Sequence, residues 1–177
     1  MSNDLEVVLD AAKILQGNPA ASNIQIVLLG DGKEKPVLQQ RAEDFGLTNI
    51  TFLSSVPKQE IPTVLAGVNV CIAILKPLDE YKTTYPNKVF DYMAAGRPII
   101  LAIDGVIRQV VDSANCGFYT EPGNAAAMAN AIFNLSLDIE KSRKLGMNGR
   151  KYLEENFSRD TMAEKLIALI DELTNQR

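Results

Sequence analysis

The chain has 177 residues, 46% of them apolar and 23% charged, the size and balance of one soluble domain with a single core. No run of about 18 apolar residues is present to span a bilayer, no basic leader precedes an apolar stretch, and 18 basic against 22 acidic residues leave a net charge of −4 with no global attraction to nucleic acid. Histidine is absent, which excludes Ser/His/Asp triads, imidazole acid–base chemistry and nearly every catalytic zinc site; the two cysteines, Cys71 and Cys116, read as small core residues of a cytoplasmic protein.

In chain order, Leu5, Val8, Leu9, Ala12 and Leu15 recur with helical spacing behind Asn3 and Asp4 as cap candidates, which predicts a helix at the very start. Gly17, Asn18 and Pro19 break it. The apolar run Ile24 to Leu29, closed by Gly30-Asp31-Gly32, reads as a buried parallel strand, and Pro36 to Gly46 as the helix after it. The alternation continues: Ile50 to Leu53 (strand), Gln59 to Ala66 (helix), Val70 to Leu75 (strand), Pro86 to Ala95 (helix), Ile99 to Ala102 (strand), Val106 to Ser113 (helix) and Gly117 to Tyr119 (strand). Such alternation predicts a doubly wound α/β fold with a mainly parallel sheet of about five strands. Three helical stretches close the chain, over Ala125 to Leu135, Asp138 to Asn156 and Asp160 to Leu173, the last capped by Ser158. Its stripe of Met162, Leu166, Ile167, Ile170 and Leu173 predicts packing onto the body. With no linker or repeat in view, residues 1–177 read as one domain.

Open α/β sheets bind ligands at the carboxyl ends of their strands, so the loops there are the places to look. Gly30 and Gly32 flank a turn whose small residues let backbone N–H groups approach a ligand, or simply make a tight strand-to-helix connection. Ser54, Ser55 and Val56 form a strand end whose backbone can hydrogen-bond the edge of a base. The third loop is rich in hydroxyls, including Thr83 and Thr84, and runs into Pro86-Asn87-Lys88, a helix start whose free N–H groups and positive dipole end suit an anion. Lys88 adds a charge for a diphosphate. Asp91, one turn after Asn87, can accept from two neighbouring hydroxyls such as a ribose diol. The plainer alternative is an exposed Lys88–Asp91 ion pair worth roughly 0.3 kcal/mol. The basic residues Lys141, Arg143, Lys144, Arg150 and Lys151 alternate with glutamates and read as a solvated helix face.

An ordered series of these segments resembles the C-terminal, donor-binding half of retaining glycosyltransferases of the GT-B type, in the group 1 (family 4) kind. Ile26-Val27-Leu28-Leu29-Gly30-Asp31-Gly32 is similar to the family's strand and glycine turn, Gly46-Leu47-Thr48-Asn49-Ile50-Thr51-Phe52 to its next strand, and Pro86 through Ile100 to its most recognisable stretch. Gly149-Arg150 and Asn156-Phe157-Ser158 resemble parts of its C-terminal helices. The resemblance spans essentially the whole chain. It implies a nucleoside-diphosphate sugar as donor and a glycan or lipid-linked acceptor. It also implies transfer of a hexose-type sugar in cell-surface polysaccharide synthesis, with the full enzyme at the inner face of the membrane. Position by position, Asp91 stands where the family has its ribose-binding glutamate, and Thr83 where it often has a first glutamate near the donor sugar. The catalytic role of that first acid therefore has no carboxylate here.

The family's C-terminal half begins with a central strand and a basic pair touching the diphosphate, and is preceded by an acceptor-binding domain. This chain starts at the helix just after the strand, so the fragment alone is expected to be inactive. Direct pairing of Ile24–Leu29 with Val70–Leu75 is expected to close the resulting gap, the alternative being a second chain, as in a homodimer. No metal or other cofactor is expected where helix ends and lysines neutralise the departing diphosphate. Two other readings stay open: a catalytically inactive nucleotide-binding or assembly module, and half of a sugar-nucleotide 2-epimerase, against which the absence of histidine counts.

Overall fold

The computed structural model describes residues 3–175. Helix α1 (Leu5–Gln16) leads through a 3₁₀ turn (Pro19–Ala21) to β1 (Ile26–Leu29), α2 (Lys35–Asp44), β2 (Ile50–Leu53), α3 (Ile61–Ala66) and β3 (Cys71–Ile74). Then come α4 (Asn87–Ala94), β4 (Ile99–Ala102), α5 (Val106–Ala114), β5 (Gly117–Tyr119), α6 (Ala125–Leu137), α7 (Ile139–Phe157) and α8 (Arg159–Asn175). This is the α/β alternation the sequence predicts. Strands β2, β4 and β5 have the predicted bounds, because each is an apolar run cut off by turn residues. Strand β1 starts later than expected: Ile24 donates its N–H to Ala21 O at 3.0 Å and belongs to the preceding turn, although it stays buried.

All strand pairs are parallel, but they form two sheets rather than one, β1-β2 and β3-β4-β5. Strand β4 is the centre of the larger sheet, and all four of its residues are fully buried, as a parallel strand covered on both faces should be. Helix α1 lies across both sheets. Its Val8 and Ala12 join Ile26, Ile74 and Ile100 in one cluster with α6, while Leu9 packs with Leu38 and Ala42 of α2. Arg41 of α2 reaches back to Asp10 of α1 at 2.9 Å. On the other face, Val89 and Met93 of α4 and Ile107 and Val111 of α5 cover Ile99 and Leu101. Helix α7 crosses close by: a Cβ on Gly146 would stand 2.0 Å from Gly96 O, so only glycine permits that approach.

Strands β1 and β3 do not pair, contrary to expectation. In a parallel strand alternate residues aim their N–H and C=O at opposite neighbours. Ile26 and Gly30 donate toward β2, to Asn49 O and Leu53 O, so Val27 and Leu29 face away from it. Cys71 and Leu75 donate toward β4, so Ile72 and Ile74 face the outer edge of β3. That edge is met by side chains of α4: Tyr92 Oη donates to Ile72 O and Lys88 Nζ to Ile74 O, each at 3.5 Å. The second correction concerns α8. Its Met162, Leu166, Ile167, Ile170 and Leu173 are between 48% and 61% exposed, so the stripe faces solvent. Periodicity shows that this face is apolar but not what covers it: Ser158, extended at ψ 155, ends α7 and caps α8 by accepting the Thr161 N–H on its Oγ at 3.1 Å, and the stripe beyond stays uncovered among the described residues.

Candidate functional site

At the carboxyl end of the smaller sheet, β1 enters its turn through Gly30 at φ 143, a conformation that favours glycine. The Gly30 N–H donates to Leu53 O at 3.1 Å and is not free for a ligand. The next residue supplies the carboxylate that organises this end of the sheet. Asp31 Oδ2 accepts from both the N–H and the Oγ of Ser55, each at 2.7 Å, and Oδ1 accepts from Lys35 Nζ at 2.8 Å; the same ammonium donates to Leu53 O at 3.0 Å. Lys35 first, then the two Ser55 donors, hold the Asp31 carboxyl well below the usual carboxylate range. Both donors of Ser55 are therefore committed to Asp31, although Ser55, like Ser54, stays exposed, and Val56 is half-buried. Beside this turn a cavity of about 160 Å³ is lined by Asn3, Leu28, Gly30, Gly32 and Phe52.

At the carboxyl end of β3 the chain makes a 3₁₀ turn (Asp79–Thr83) before α4. Thr83 and Thr84 both turn their hydroxyls weakly toward Glu80 O, at 3.4 and 3.5 Å. Pro86 O accepts the Val89 N–H, and among the described residues the Asn87 and Lys88 amides are the open donors of the helix start. Asn87 and Asp91 share the exposed outer face, one turn apart. Among the described residues Asp91 has no ion-pair or hydrogen-bond partner within the chain, so the alternative of a Lys88–Asp91 pair is not formed. Lys88 turns the other way: its Nζ donates to Asn3 Oδ1 at 2.8 Å, and burial pushes its pKa below the ordinary lysine value. The predicted residues thus fall into two groups. Thr83, Thr84, Asn87 and Asp91 gather at the start of α4, and Gly30, Gly32 and Ser54 to Val56 at the end of β1-β2. Lys88 lies between them, held by Asn3.

Asn3 and the β4–α5 connection are what sequence reasoning missed. Asn3 reads as a helix cap but makes none; it lines the β1 cavity and holds Lys88, 85 residues away, a contact that no local pattern announces. A second cavity of about 210 Å³ opens at the ends of the larger sheet, between Lys76, Tyr81, Asp104, Tyr119 and Glu121. Arg108 stacks 3.7 Å above the Tyr119 ring and pairs with Asp104 at 3.3 Å. Gly105 is required beneath it, at φ 92, because a Cβ would lie 2.0 Å from Lys82 O. The signal was the Asp104-Gly105 pair, which reads on its own as a helix start. Cys71 and Cys116 are buried, and burial pushes both thiols up to about 12, so they stay protonated. The basic face of α7 is solvated as expected, with exposed pairs such as Arg150–Glu154 at 2.9 Å. Among the described residues no helix is long and apolar enough to cross a membrane, and no three His, Cys, Asp or Glu side chains cluster as metal ligands.

The fold has many relatives. HepE from Anabaena, solved in complex with UDP, superposes with a TM-score of 0.80 over 96% of this chain and 45% of its own, at 20% identity. The C-terminal domain of a glycosyl transferase group 1 family protein, LpcC from Francisella tularensis, matches with a TM-score of 0.73 over 89% of this chain and 80% of its own, at 17% identity. These likenesses establish the fold as the Rossmann-like α/β one of GT-B domains. In sequence, the α-1,3/1,6-mannosyltransferase ALG2 of Dictyostelium discoideum is 26% identical over 96% of this chain, which spans 43% of that relative's length. The model of the family described as "Glycosyl transferases group 1" matches residues 2–138. The chain belongs to the group 1 glycosyl transferases.

Proposed function

We propose that residues 1–177 form the donor-binding half of a glycosyltransferase. The donor is a nucleoside-diphosphate sugar, and a hexose-type group passes from it to a glycan or lipid-linked acceptor in the assembly of cell-surface polysaccharide. One observation carries this reading: the Asp91 carboxylate and the amides of Asn87 and Lys88, all without a partner among the described residues, lie within one turn of each other at the start of α4. A carboxylate beside an anion site is self-defeating unless the ligand offers hydroxyls next to its phosphates, and a ribosyl diphosphate does so. In this reading the base lies toward Gly30, Gly32 and Ser54 to Val56, the ribose on Asp91, and the diphosphate over Asn87 and Lys88. The donor sugar lies by Thr83 and Thr84. Helix α4 and Lys88 neutralise the departing diphosphate without a cofactor, and retention of configuration is the family pattern. In this reading the acceptor site belongs to polypeptide other than these residues, so the 177 residues bind donor without turning it over.

Calorimetric titration with a panel of nucleoside diphosphates tests the reading. Binding with a dissociation constant of order ~0.1 to 1 mM is expected, equivalent to roughly 4 to 5.5 kcal/mol. Amide shifts should gather at Gly30, Ser54 to Val56 and Thr83 to Lys88. Shifts confined to α6, α7 and α8 would refute the placement.

A further inference from the structure

Three segments of chain meet at the Asp31 carboxylate: the turn after β1, the first turn of α2 through Lys35, and the turn after β2 through Ser55. The four hydrogen bonds that join them run from 2.7 to 3.0 Å, yet the cluster sits at the surface, with the Asp31 side chain 50% exposed. Ion pairs so exposed add little to stability, and the β1-β2 ladder already ties these strand ends together through Gly30 N–H and Leu53 O. The effect of the cluster is therefore local and conformational. It engages both donors of Ser55, which like Ser54 stays exposed at the surface, and leaves the other polar groups of the turn to meet a ligand. Without the carboxylate, Ser55 would have its N–H and hydroxyl free to rotate outward, and the turn would offer several competing donor patterns instead of one.

Resting on the donor reading above, we propose that Asp31 is a positioning residue for base recognition: it fixes the Ser54–Val56 turn in one conformation, so that the edge of the donor's base meets a single set of backbone groups. Asp31 touches no part of the donor. Its action passes through Ser55, and Lys35 holds the carboxylate in place from the other side. The energy of the clasp thus appears as discrimination between bases rather than as resistance to unfolding.

The test compares Asp31→Ala, Asp31→Asn and Ser55→Ala with the unaltered chain. Each is titrated with the panel of nucleoside diphosphates and with inorganic pyrophosphate, and thermal unfolding is followed in parallel. Asp31→Ala is expected to weaken the preferred nucleoside diphosphate about tenfold and to shrink the ratio between best and worst base toward one. Pyrophosphate binding and the melting temperature should change little. Asp31→Asn keeps an acceptor for the Ser55 amide but loses the Lys35 pairing and should fall between, at about threefold; Ser55→Ala keeps the amide bond and should do likewise. If Asp31→Ala leaves base discrimination intact, or weakens pyrophosphate as much as the nucleotides, the proposal is overturned. Should Asp31→Ala fail to fold, the other two variants decide in the same way. Failure of the donor reading shows separately, since the unaltered chain would then bind no nucleoside diphosphate more tightly than pyrophosphate.

Discussion

The two sheets differ in kind. Around β3-β4-β5, helices α4, α5 and α7 cover one face and α1 and α6 the other, and the four residues of β4 are entirely enclosed. Around β1-β2, α1 and α2 cover one face while the other leaves Val27 and Leu53 43% and 44% exposed, and α3 contributes no buried residue at all. A two-stranded sheet with one covered face is marginal by itself. The donor site proposed above would use both halves: phosphate and ribose groups on α4, rooted in the firm half, and the base turns on the soft half. A site built this way can hold its diphosphate end rigidly while its base end depends on local devices such as the Asp31 clasp.

Native-state hydrogen exchange should show this contrast as its largest effect. The amides of Ile100 and Leu101 lie in the centre of the β3-β4-β5 ladder and should exchange only on global opening. Those of Val27 and Leu29 face an unpaired edge and should exchange faster by about a thousandfold or more, a difference of roughly 4 kcal/mol or more in opening free energy. Equal protection in the two sheets would mean that β1-β2 is held by contacts outside the ones described. Substitution sharpens the same comparison in a smaller energy range. Leu101→Ala, at a fully buried position, should cost about 2 to 5 kcal/mol, whereas Val27→Ala should cost well under half as much. Denaturant midpoints at constant m-value are the measurement.

Ligand binding comes next in size. Asp91→Ala should weaken nucleoside diphosphates by about 1 to 2 kcal/mol, because the two ribose hydroxyls lose their charged acceptor, and should not weaken pyrophosphate. Lys88→Ala should act on pyrophosphate as well. If Asp91→Ala weakens both ligands equally, Asp91 does not hold the ribose.

Legibility in the sequence depends on the range of the interaction that makes each feature. The apolar runs of β2, β4 and β5 and the glycine or asparagine stops behind most helices are local, and the sequence shows them. The i, i+4 pair Asp31–Lys35 is also local. Its third member, Ser55, lies 24 residues on, and only the parallel register of Leu29 against Leu53 brings it there. The stripe on α8 was visible, but periodicity says that a face is apolar and not what covers it. Lys88 was legible as a helix-start cation, but its direction was not. The rotation of α4 that buries Val89 and Met93 turns Lys88 and Tyr92 to the edge of β3 and leaves Asn87 and Asp91 outside. The expected pairing of β1 with β3 failed for the same reason, since those α4 side chains already meet that edge.

The smallest expected effect is one of pH, and it belongs to the soft half. The ordinary carboxyl value for Asp31 is 3.8, and Lys35 with Ser55 lowers it in the folded protein. A group whose pKa falls on folding contributes its stabilisation above the unfolded value and gives it up as the pH drops through the folded one. From pH 8 down to about 5 the clasp should therefore be unchanged, and it should open only in stronger acid, below the range in which an ordinary aspartate takes up its proton. The Ser55 amide resonance reports it directly. Its chemical shift should stay constant while unperturbed aspartates titrate near pH 4, and move only at lower pH. Because the group is half exposed, the midpoint of unfolding should hardly change with it. Asp31→Asn should abolish the low-pH movement, and a Ser55 amide that titrates near pH 4 in the unaltered chain would show that the carboxylate is not held by Lys35 and Ser55 in solution.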